Sequence, residues 1–332
     1  MRIVRLLAIF TLAVTAWPQS YPSAWNYANP NATFLLGFDW SRLQQSAFAG
    51  MAQKQISTRH AMGLPDPNFL EHVNQILLAI SIDKDIAKTR KQPPALLILS
   101  GTFDLQVVRK IAISKKMSPS TYHSVPLLTE AGKPGEQDSA LALINEQTLL
   151  FGDRRSVLQA IDRNAPGTPR VFSPIMASAS KLAETHDLWI IAHNFGNFSR
   201  ELDGPLQIGQ DVTAIQAGIS FHNGLDADAA LTAISDVAAA RFARMIEALR
   251  PQLPKPLQDL GIATKENVVQ LALSIDQQQL TAMLGKFTQQ AIAQAMPAGA
   301  APPHPSTKPE KMTIKIYGLD DGPKEIPYPA SN

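Results

Sequence analysis

The chain has 332 residues, of which 45% are apolar and 17% are charged, and it contains no cysteine. A chain without cysteine has no disulfide framework, no thiol nucleophile and no thiolate ligand for zinc. The 30 basic and 28 acidic residues nearly balance, which excludes the strongly cationic surface that nucleic-acid binding requires.

Residues 1–16 have the pattern of a secretory signal peptide. Arg2 and Arg5 form a positive start, Leu6–Trp17 is almost entirely apolar, and Val14–Ala16 offers small residues for cleavage. The apolar run is shorter than the roughly 20 residues that span a bilayer. The sequence therefore predicts a periplasmic or secreted protein whose mature chain has no net charge and no transmembrane segment.

The remaining chain divides into four further parts. Residues 17–31 are predicted to form an extended lead-in, because they are rich in Pro, Tyr, Asn and Ser. Residues 32–165 and 170–295 form two halves, separated by the Asn-Ala-Pro-Gly-Thr-Pro break at Asn164–Pro169. A proline-rich linker at 296–311 leads to a C-terminal strand and tail at 312–332.

In the first half, strands and helices alternate. The expected strands are Ala32–Trp40, Ala95–Thr102 and Tyr122–Thr129, the last at a sheet edge because it contains Pro126, and Ser139–Phe151 is expected to form a hairpin. Helices are expected from Ser41 to about Ile56, after Asp104 and after Asp153. A further helix is predicted after Asp66-Pro67, on the helical spacing of five apolar residues: Phe69, Val73, Ile76, Leu77 and Ile80.

The second half contains the clearest strand pattern. Apolar residues alternate on both sides of Asn223-Gly224 across Val212–Ala233, which predicts a long hairpin closed by a two-residue turn with positive φ at both positions. Other strands are expected at Asp187–His193 and Asn267–Ile275. Helices are expected at 173–182, at 235–250, and after Asp276, with an apolar stripe that reaches Ala291.

These elements indicate an α+β protein with a largely antiparallel sheet and helices covering one face. Each half has a leading strand, a central hairpin, an amphipathic helix and another strand. The sequence therefore also predicts two loosely similar halves, as a duplication would produce.

One tetrapeptide could carry catalysis. Ser178-Ala179-Ser180-Lys181 matches Ser-x-x-Lys, in which a lysine one helical turn from the serine helps to activate it. The supporting Lys-Thr-Gly motif does not occur, and Ser235-Asp236 is followed by Val237 and not by Asn. The alternative is that Ser178 and Lys181 belong to a solvated helix end.

A second candidate is a binding site made at strand ends. Asp39 and Trp40 end the first strand, His193 and Asn194 end another, and His222 flanks the long hairpin's turn. These residues could meet at one sheet edge, or they could be separate surface residues. No spacing of the His-Glu-x-x-His kind is found, so no metal site is predicted.

Two further groups of residues could bind a ligand. Asp226 and Asp228 lie two apart on one strand and could supply calcium ligands, although the glycine and glutamate of an EF-hand are missing. Trp40, Trp189 and Phe195 could form an aromatic platform, or they could pack in the core. No phosphate-binding or dinucleotide-binding glycine motif occurs, and no cofactor is predicted.

The C-terminal segment Met312–Tyr317 alternates like a strand beyond the linker. We expect it to add to a sheet edge, in its own chain or in a partner, or else to be a disordered tail.

Three segments carry a resemblance to a known group of proteins. They are TFLLGFDWSRL (33–43), SALALINEQTLLFGDRRSVLQAIDR (139–163) and IKIYGLDDGPKEIPYP (314–329). In these segments the chain resembles uncharacterised exported proteins of acidobacteria and similar soil bacteria. The resemblance implies export and brings no activity with it.

The sequence favours a non-enzymatic binding protein whose partner is a protein, a peptide or an envelope component. One alternative is a serine hydrolase that acts on cell-wall material through Ser178 and Lys181. A second alternative is a carrier of an apolar ligand, which requires a deep cavity between sheet and helices.

Overall fold

The fold was analysed in a computed structural model. It describes residues 22–46, 49, 71–81, 93–130 with gaps between 105 and 115, 138–169, 173–193, 211–283, and the strands at 313–316 and 324–327. The predictions for the leader, for Asn194, Phe195 and the linker, and for the tail apart from its two strands, lie outside these residues. Residues 1–281 and 282–332 form two separate compact units.

The first unit is built on a mixed set of helices and a twelve-stranded antiparallel sheet, which confirms the predicted α+β class. Its strands, in chain order, are β1 (Phe34–Asp39), β2 (Val73–Ile80), β3 (Ala95–Gly101), β4 (Ser118–Tyr122), β5 (Val125–Glu130), β6 (Ser139–Asn145), β7 (Thr148–Asp153), β8 (Leu188–His193), β9 (Val212–Ser220), β10 (Gly224–Ala233), β11 (Gly261–Lys265) and β12 (Val268–Asp276). Their order across the sheet is β11-β12-β10-β9-β8-β1-β2-β3-β7-β6-β5-β4.

The helices of this unit are short to medium in length. Among the described residues they include α1 (Trp40–Gln45), α2 (Arg154–Arg163), α3 (Pro174–Thr185), α4 (Asp236–Leu249), α5 (Lys255–Gln258) and the 3-10 helices Ser23–Tyr27 and Arg250–Gln252. Residues 277–283 are also helical, and helical residues lie between 106 and 113. No helix within the described part of the chain is long and apolar enough to cross a bilayer.

The helical cover extends over both faces, which is more than the one covered face that the sequence predicted. On the first face, α2, α3 and the 3-10 helix at Ser23–Tyr27 pack on a core that includes Leu35, Leu77, Ile98, Leu150 and Ile191. On the second face, α1 packs with Leu99 and Leu149, and α4 packs with Val269. Alternate residues of each strand therefore contribute to different cores.

The two halves are partly alike in the order of their elements around the central β1–β8 pair, although the first half also contains the β4–β5 hairpin. β1-β2-β3 and β8-β9-β10 run outward from it, and each set is followed by helical residues and a further hairpin that pairs with its third strand. In each half that hairpin's second strand ends at an aspartate that caps a helix: Asp153 accepts from the amide of Ser156, and Asp276 accepts from the amide of Gln279. Both halves share one sheet, and the duplication itself stays a prediction.

The helix predicted after Asp66-Pro67 is wrong where the structure describes it, because Val73–Ile80 is strand β2. β2 lies between β1 and β3 and carries apolar residues on both faces, with Leu77 towards one core and Ile76 towards the other. A strand buried on both faces loses its two-residue alternation, so its apolar residues can match a helical spacing by coincidence.

Two turns differ from their predictions. The β9–β10 hairpin is confirmed, but its last pair is Ser220 with Asp226, and of the residues between them only Gly224 has a positive φ, at 129°. The amide of Phe221 donates instead to the carboxylate of Asp187, 2.8 Å away, which holds a wider loop. A two-residue turn with two positive φ angles occurs at His123-Ser124, between β4 and β5.

Three smaller predictions also need correction. β4, which contains Pro119, is the edge strand, so β5 with Pro126 lies one position inside. Ser23–Tyr27 in the lead-in is a 3-10 helix with Trp25 buried, and therefore is not extended. The cap of α1 is Asp39 and not Ser41.

The second unit contains a separate two-stranded sheet. β13 (Thr313–Ile316), where a strand was predicted, pairs antiparallel with β14 (Lys324–Pro327). Its two strands therefore pair with each other in a hairpin.

Candidate functional site

The predicted constellation at strand ends does not converge. β1 and β8 are antiparallel, with Phe34 opposite Ala192 and Phe38 opposite Leu188. Asp39 and Trp40 therefore lie at one end of this pair and His193 lies at the other, about 15–20 Å away along the strands. His222 is exposed in the β9–β10 loop, at the same end as Asp39.

A backbone hydrogen bond fixes the position of His193. Its amide donates to the carbonyl of Thr33 at 2.7 Å, and its Nε2 is buried without a hydrogen-bond partner among the described residues. The ring is on the first face of the sheet, because it lies two positions from Ile191.

Asp39 is the centre of a network that joins three elements. Its carboxylate accepts from the Ser41 hydroxyl at 2.7 Å, from the amide of Arg42 at 3.0 Å and from Nε of Arg42 at 3.0 Å. Arg42 Nε also lies 3.8 Å from the buried carboxylate of Asp187, and its guanidinium donates to the carbonyls of Ala183 and Glu184 at the end of α3. The network thus joins α1 to β8 and α3.

The charge state of Asp39 follows from these contacts. Burial raises the pKa of the carboxyl group, but the hydrogen bonds from the Arg42 amide, the Ser41 hydroxyl and the Arg42 guanidinium outweigh it, so the pKa lies below its ordinary value. A general acid needs the opposite shift. Asp39 is therefore an ionised structural group.

We expect a specific acid sensitivity from Asp39. Because the pKa is lower in the folded state than in the unfolded state, the carboxylate stabilises the fold above about pH 4, and this contribution is lost as the pH falls through the folded pKa. Asp39→Asn should cost about 1–2 kcal/mol at pH 7 through the lost charge-assisted bonds. It should also remove this part of the acid dependence, as urea titrations between pH 2 and pH 7 would show.

Asp259→Asn is the control for this experiment, because Asp259 is exposed in a turn after α5. An unchanged acid dependence in Asp39→Asn, relative to wild type, would contradict the role given to the carboxylate.

A second polar pair lies on the first face and was not predicted as a site. Nε2 of His186 donates to the carboxylate of Asp228 at 2.5 Å, and Nδ1 lies 2.9 Å from the hydroxyl of Thr185. The imidazole stands directly over Gly218, where a Cβ atom would come within 2.3 Å of the ring. The pair fixes the end of α3 to β10, and Gly218 on β9, directly opposite Asp228, was the sequence signal for the close approach of the ring.

The Ser-x-x-Lys candidate lies on α3. Ser178 is half-buried and Lys181 is exposed, and no hydrogen bond joins the two side chains in the part of the chain that the structure describes. We expect no covalent labelling of Ser178 by a fluorophosphonate probe. Labelling that Ser178→Ala abolishes would revive the hydrolase alternative.

The two aspartates proposed as calcium ligands are each engaged by a different partner. Asp226 and Asp228 share the first face as predicted, but Asp226 accepts from the hydroxyl of Ser274 at 2.6 Å while Asp228 is engaged by His186. Within the described residues, no three side chains from His, Asp and Glu come together as a metal site.

The tryptophans of the proposed platform are on different faces. Trp189 is 3% exposed, covers Gly37 and lies 5.4 Å from Trp25 in the first core. Trp40 is 4% exposed in the second core, 5.5 Å from the ring of Phe38. Two buried tryptophans on opposite faces cannot form one platform.

A continuous apolar band crosses the second face of the sheet. It joins one residue from each of eight adjacent strands, and each is directly opposite the next in the ladder: Phe151, Leu97, Leu78, Leu36, Ile190, Ala217, Ala229 and Leu271. None of the eight is fully buried, and Phe151 is 40% exposed. Leu99, Leu149 and Val269, each two positions from a member, are buried beneath helices.

This half-exposed band, which we call the apolar band, is the feature that best fits a binding surface. Soluble proteins rarely leave a long row of large apolar side chains partly open to water without a function. The sequence showed the alternation that creates the band but not the alignment of the strands, because long-range register cannot be read from one strand at a time.

The fold and the band together define an α+β protein with a twelve-stranded antiparallel sheet and an apolar surface on its second face. No family model matches the chain, and no curated protein matches it in sequence. The structure is similar to that of TP0453 in its crystal form I, with a TM-score of 0.50 and 12% sequence identity, over 80% of this chain and 98% of that one. The likeness concerns the fold alone.

Proposed function

We propose that this chain is an exported, non-enzymatic binding protein of the cell envelope, and that the apolar band is its binding surface. The observation that carries the proposal is the unbroken ladder of half-exposed apolar residues from Phe151 to Leu271. Export rests on the signal-peptide pattern of residues 1–16 and on the resemblance to exported proteins of soil bacteria.

The polar groups support binding over catalysis. Asp39, Arg42 and Asp187 form ion pairs and hydrogen bonds with one another and with backbone groups, and the pKa of Asp39 is shifted away from acid-base use. His186 and Asp228 are engaged with each other. In the described part of the chain, these charges therefore serve the fold.

The fluorescence of an environment-sensitive naphthylamine dye should increase and saturate as the dye binds to the apolar band. Ala229→Lys places a charge in the band, beside Ala217 and Leu271, whereas Ala230→Lys places the same charge on the opposite face, beside Gln216 and Gln270. We expect Ala229→Lys to weaken dye binding at least tenfold, because a lysine ammonium group resists burial against apolar surface. Ala230→Lys should bind like the wild type.

A second pair of variants tests the same proposal in case Ala229→Lys does not fold. Phe151→Ser shortens the band at its most exposed residue, and Ile113→Ser removes a 78% exposed isoleucine that is not part of the band. The first should weaken dye binding and the second should not. Equal effects within both pairs, or no saturable binding by the wild type, would refute the proposed function.

A further inference from the structure

We infer that two copies of this chain pair through their β11 strands, which joins the two sheets across a twofold axis at Ala263. The inference concerns a free edge of the sheet and not the apolar band, so it holds or fails independently of the proposed function. The partner is a second copy because this edge is complementary to itself.

The two edge strands of the sheet differ in how open they are to pairing. β4 and β11 are the outer strands, and no strand of the described residues lies beyond either one. An edge strand is a template for another strand unless proline, charge or a cover protects it. β4 contains Pro119, whereas β11 contains no proline and its residues Ala263, Thr264 and Lys265 are exposed.

The outward backbone groups of β11 follow from its hairpin with β12. Lys265 is paired with Val268 across the two-residue turn Glu266-Asn267. The residues that flank such a turn exchange backbone hydrogen bonds, and bonded and non-bonded pairs then alternate along the ladder. Ile262 and Thr264 are at the non-bonded positions, so their N–H and C=O groups point away from β12 and towards the free edge.

The same alternation shows why β4 is less open to pairing. Its hairpin with β5 turns at His123-Ser124, so Pro119 and Thr121 are the residues whose backbone is directed outward. Proline has no N–H group and therefore removes a donor from that edge. β11 keeps its outward donors, which makes it the edge available to another strand.

Antiparallel pairing with a second copy fits all five residues of β11. The axis passes between the two Ala263 residues, and Ile262 of each copy lies opposite Thr264 of the other. Gly261 lies opposite Lys265 in the same way. Ile262 and Thr264 then form bonded pairs with their outward groups, while the alanines form the non-bonded pair, whose Cα separation of about 4.5 Å suits a small side chain.

The charges agree with this register. Lys265 is the only charged residue of β11, and it faces a glycine of the other copy, which leaves its side chain free to reach water. The two Lys265 residues lie about 14 Å apart along the strands, so the pairing places no like charges opposite each other.

The pairing has a consequence for the second face of the sheet. Ile262 lies opposite Leu271, the last member of the apolar band, so β11 continues the apolar row to the edge. A twofold axis perpendicular to the sheet keeps the second faces of the two copies on the same side. The dimer therefore presents both bands on one side of a joined sheet.

Disulfide crosslinking tests the register, because the chain contains no cysteine of its own. Ala263→Cys places a thiol at the close pair on the axis, where the Cα separation lies in the range of disulfides. Ser120→Cys is the matched control, since Ser120 is exposed in the middle of β4 beside Pro119. Under the same mild oxidation we expect Ala263→Cys to form covalent dimers about tenfold faster than Ser120→Cys or more. Equal rates would overturn the inference.

A pair of substitutions at Thr264 tests the backbone bonds in the Ala263→Cys background. Thr264→Pro removes an outward donor, as Pro119 does on β4, and Thr264→Val keeps the donor and the branched side chain. We expect the first to reduce crosslinking to the rate of Ser120→Cys and the second to leave it unchanged. Crosslinking that survives in Thr264→Pro, or that is lost in both variants, would contradict the pairing.

Sedimentation velocity provides a readout that needs neither a thiol nor a proline. The wild type should associate reversibly into dimers, and weakly, because five paired residues make a small interface. Ala263→Lys sets two ammonium groups against each other at the axis and should abolish association, whereas Ser120→Lys on β4 should not change it. A wild type that stays monomeric, or an Ala263→Lys variant that still dimerises, would overturn the inference.

Discussion

Gly37→Ala is expected to lower the free energy of unfolding by about 3 kcal/mol, because the added methyl group would clash with a buried side chain. Gly37 lies in the middle of β1, and a Cβ atom there would come within 2.0 Å of the indole of Trp189. Trp189 is 3% exposed and packs against Trp25, so the ring cannot move aside without disturbing the first core. Urea denaturation followed by tryptophan fluorescence measures the change.

Gly261→Ala is the matched control, because it also adds a methyl group to a glycine in a strand. The new Cβ would lie 3.4 Å from the carbonyl of Ala272, an ordinary contact, and β11 is an exposed edge strand. This variant should be neutral within about 0.5 kcal/mol. Equal destabilisation by the two variants would show that the packing of Trp189 on Gly37 is not what fixes the sheet centre.

Arg42→Ala is expected to cost about 2–3 kcal/mol. The change removes the cation that pairs with Asp39 and Asp187, whose side chains are only 12% and 8% exposed, and it also removes donors to the last turn of α3. A buried carboxylate left without its partner loses more than the hydrogen bond itself, because its desolvation is no longer compensated. The 37% exposure of Arg42 keeps the cost below that of a fully buried pair.

Arg241→Ala is the control for this variant. Arg241 pairs with Asp211 at the surface, with side-chain exposures of 63% and 29%, and such pairs contribute at most about 1 kcal/mol. Thermal unfolding in low and high salt distinguishes the two: added salt should reduce the small effect of Arg241→Ala and leave most of the effect of Arg42→Ala. Comparable losses in both variants would argue against the Arg42 network as a structural joint.

Much of the fold was predictable because local signals agree with it. The β6–β7 hairpin, the caps at Asp153 and Asp276 and the alternation through β9 and β10 all appear in the sequence and all recur in the structure. These features depend on neighbours within one or two turns of chain, which is the range that sequence patterns report.

β2 shows why the rest was not predictable. Six of its eight residues are apolar and lie on both faces, because β1 and β3 flank it and it contributes to both cores. Once both faces are buried, the period of two disappears, and only long-range pairing distinguishes a strand from a helix.

The residues predicted to meet at one sheet edge lie apart for a related reason. Asp39, His193 and His222 are polar residues at strand ends, but whether strand ends meet depends on strand direction and order, which were not known. The apolar band depends on the same information, because its members come from eight strands spread along the chain and align only through the register of the sheet. Arg42 carried no signal beyond its place after a capping aspartate.

A photoreactive, diazirine-bearing apolar probe tests the central claim, that the apolar band is the binding surface, most directly, with the crosslinked residues mapped by mass spectrometry. The account predicts saturable labelling confined to the second face, at β1, β2, β8 and β9 around Leu36, Leu78, Ile190 and Ala217, and loss of that labelling in Ala229→Lys. Labelling on the first face, or labelling that does not saturate, would contradict it.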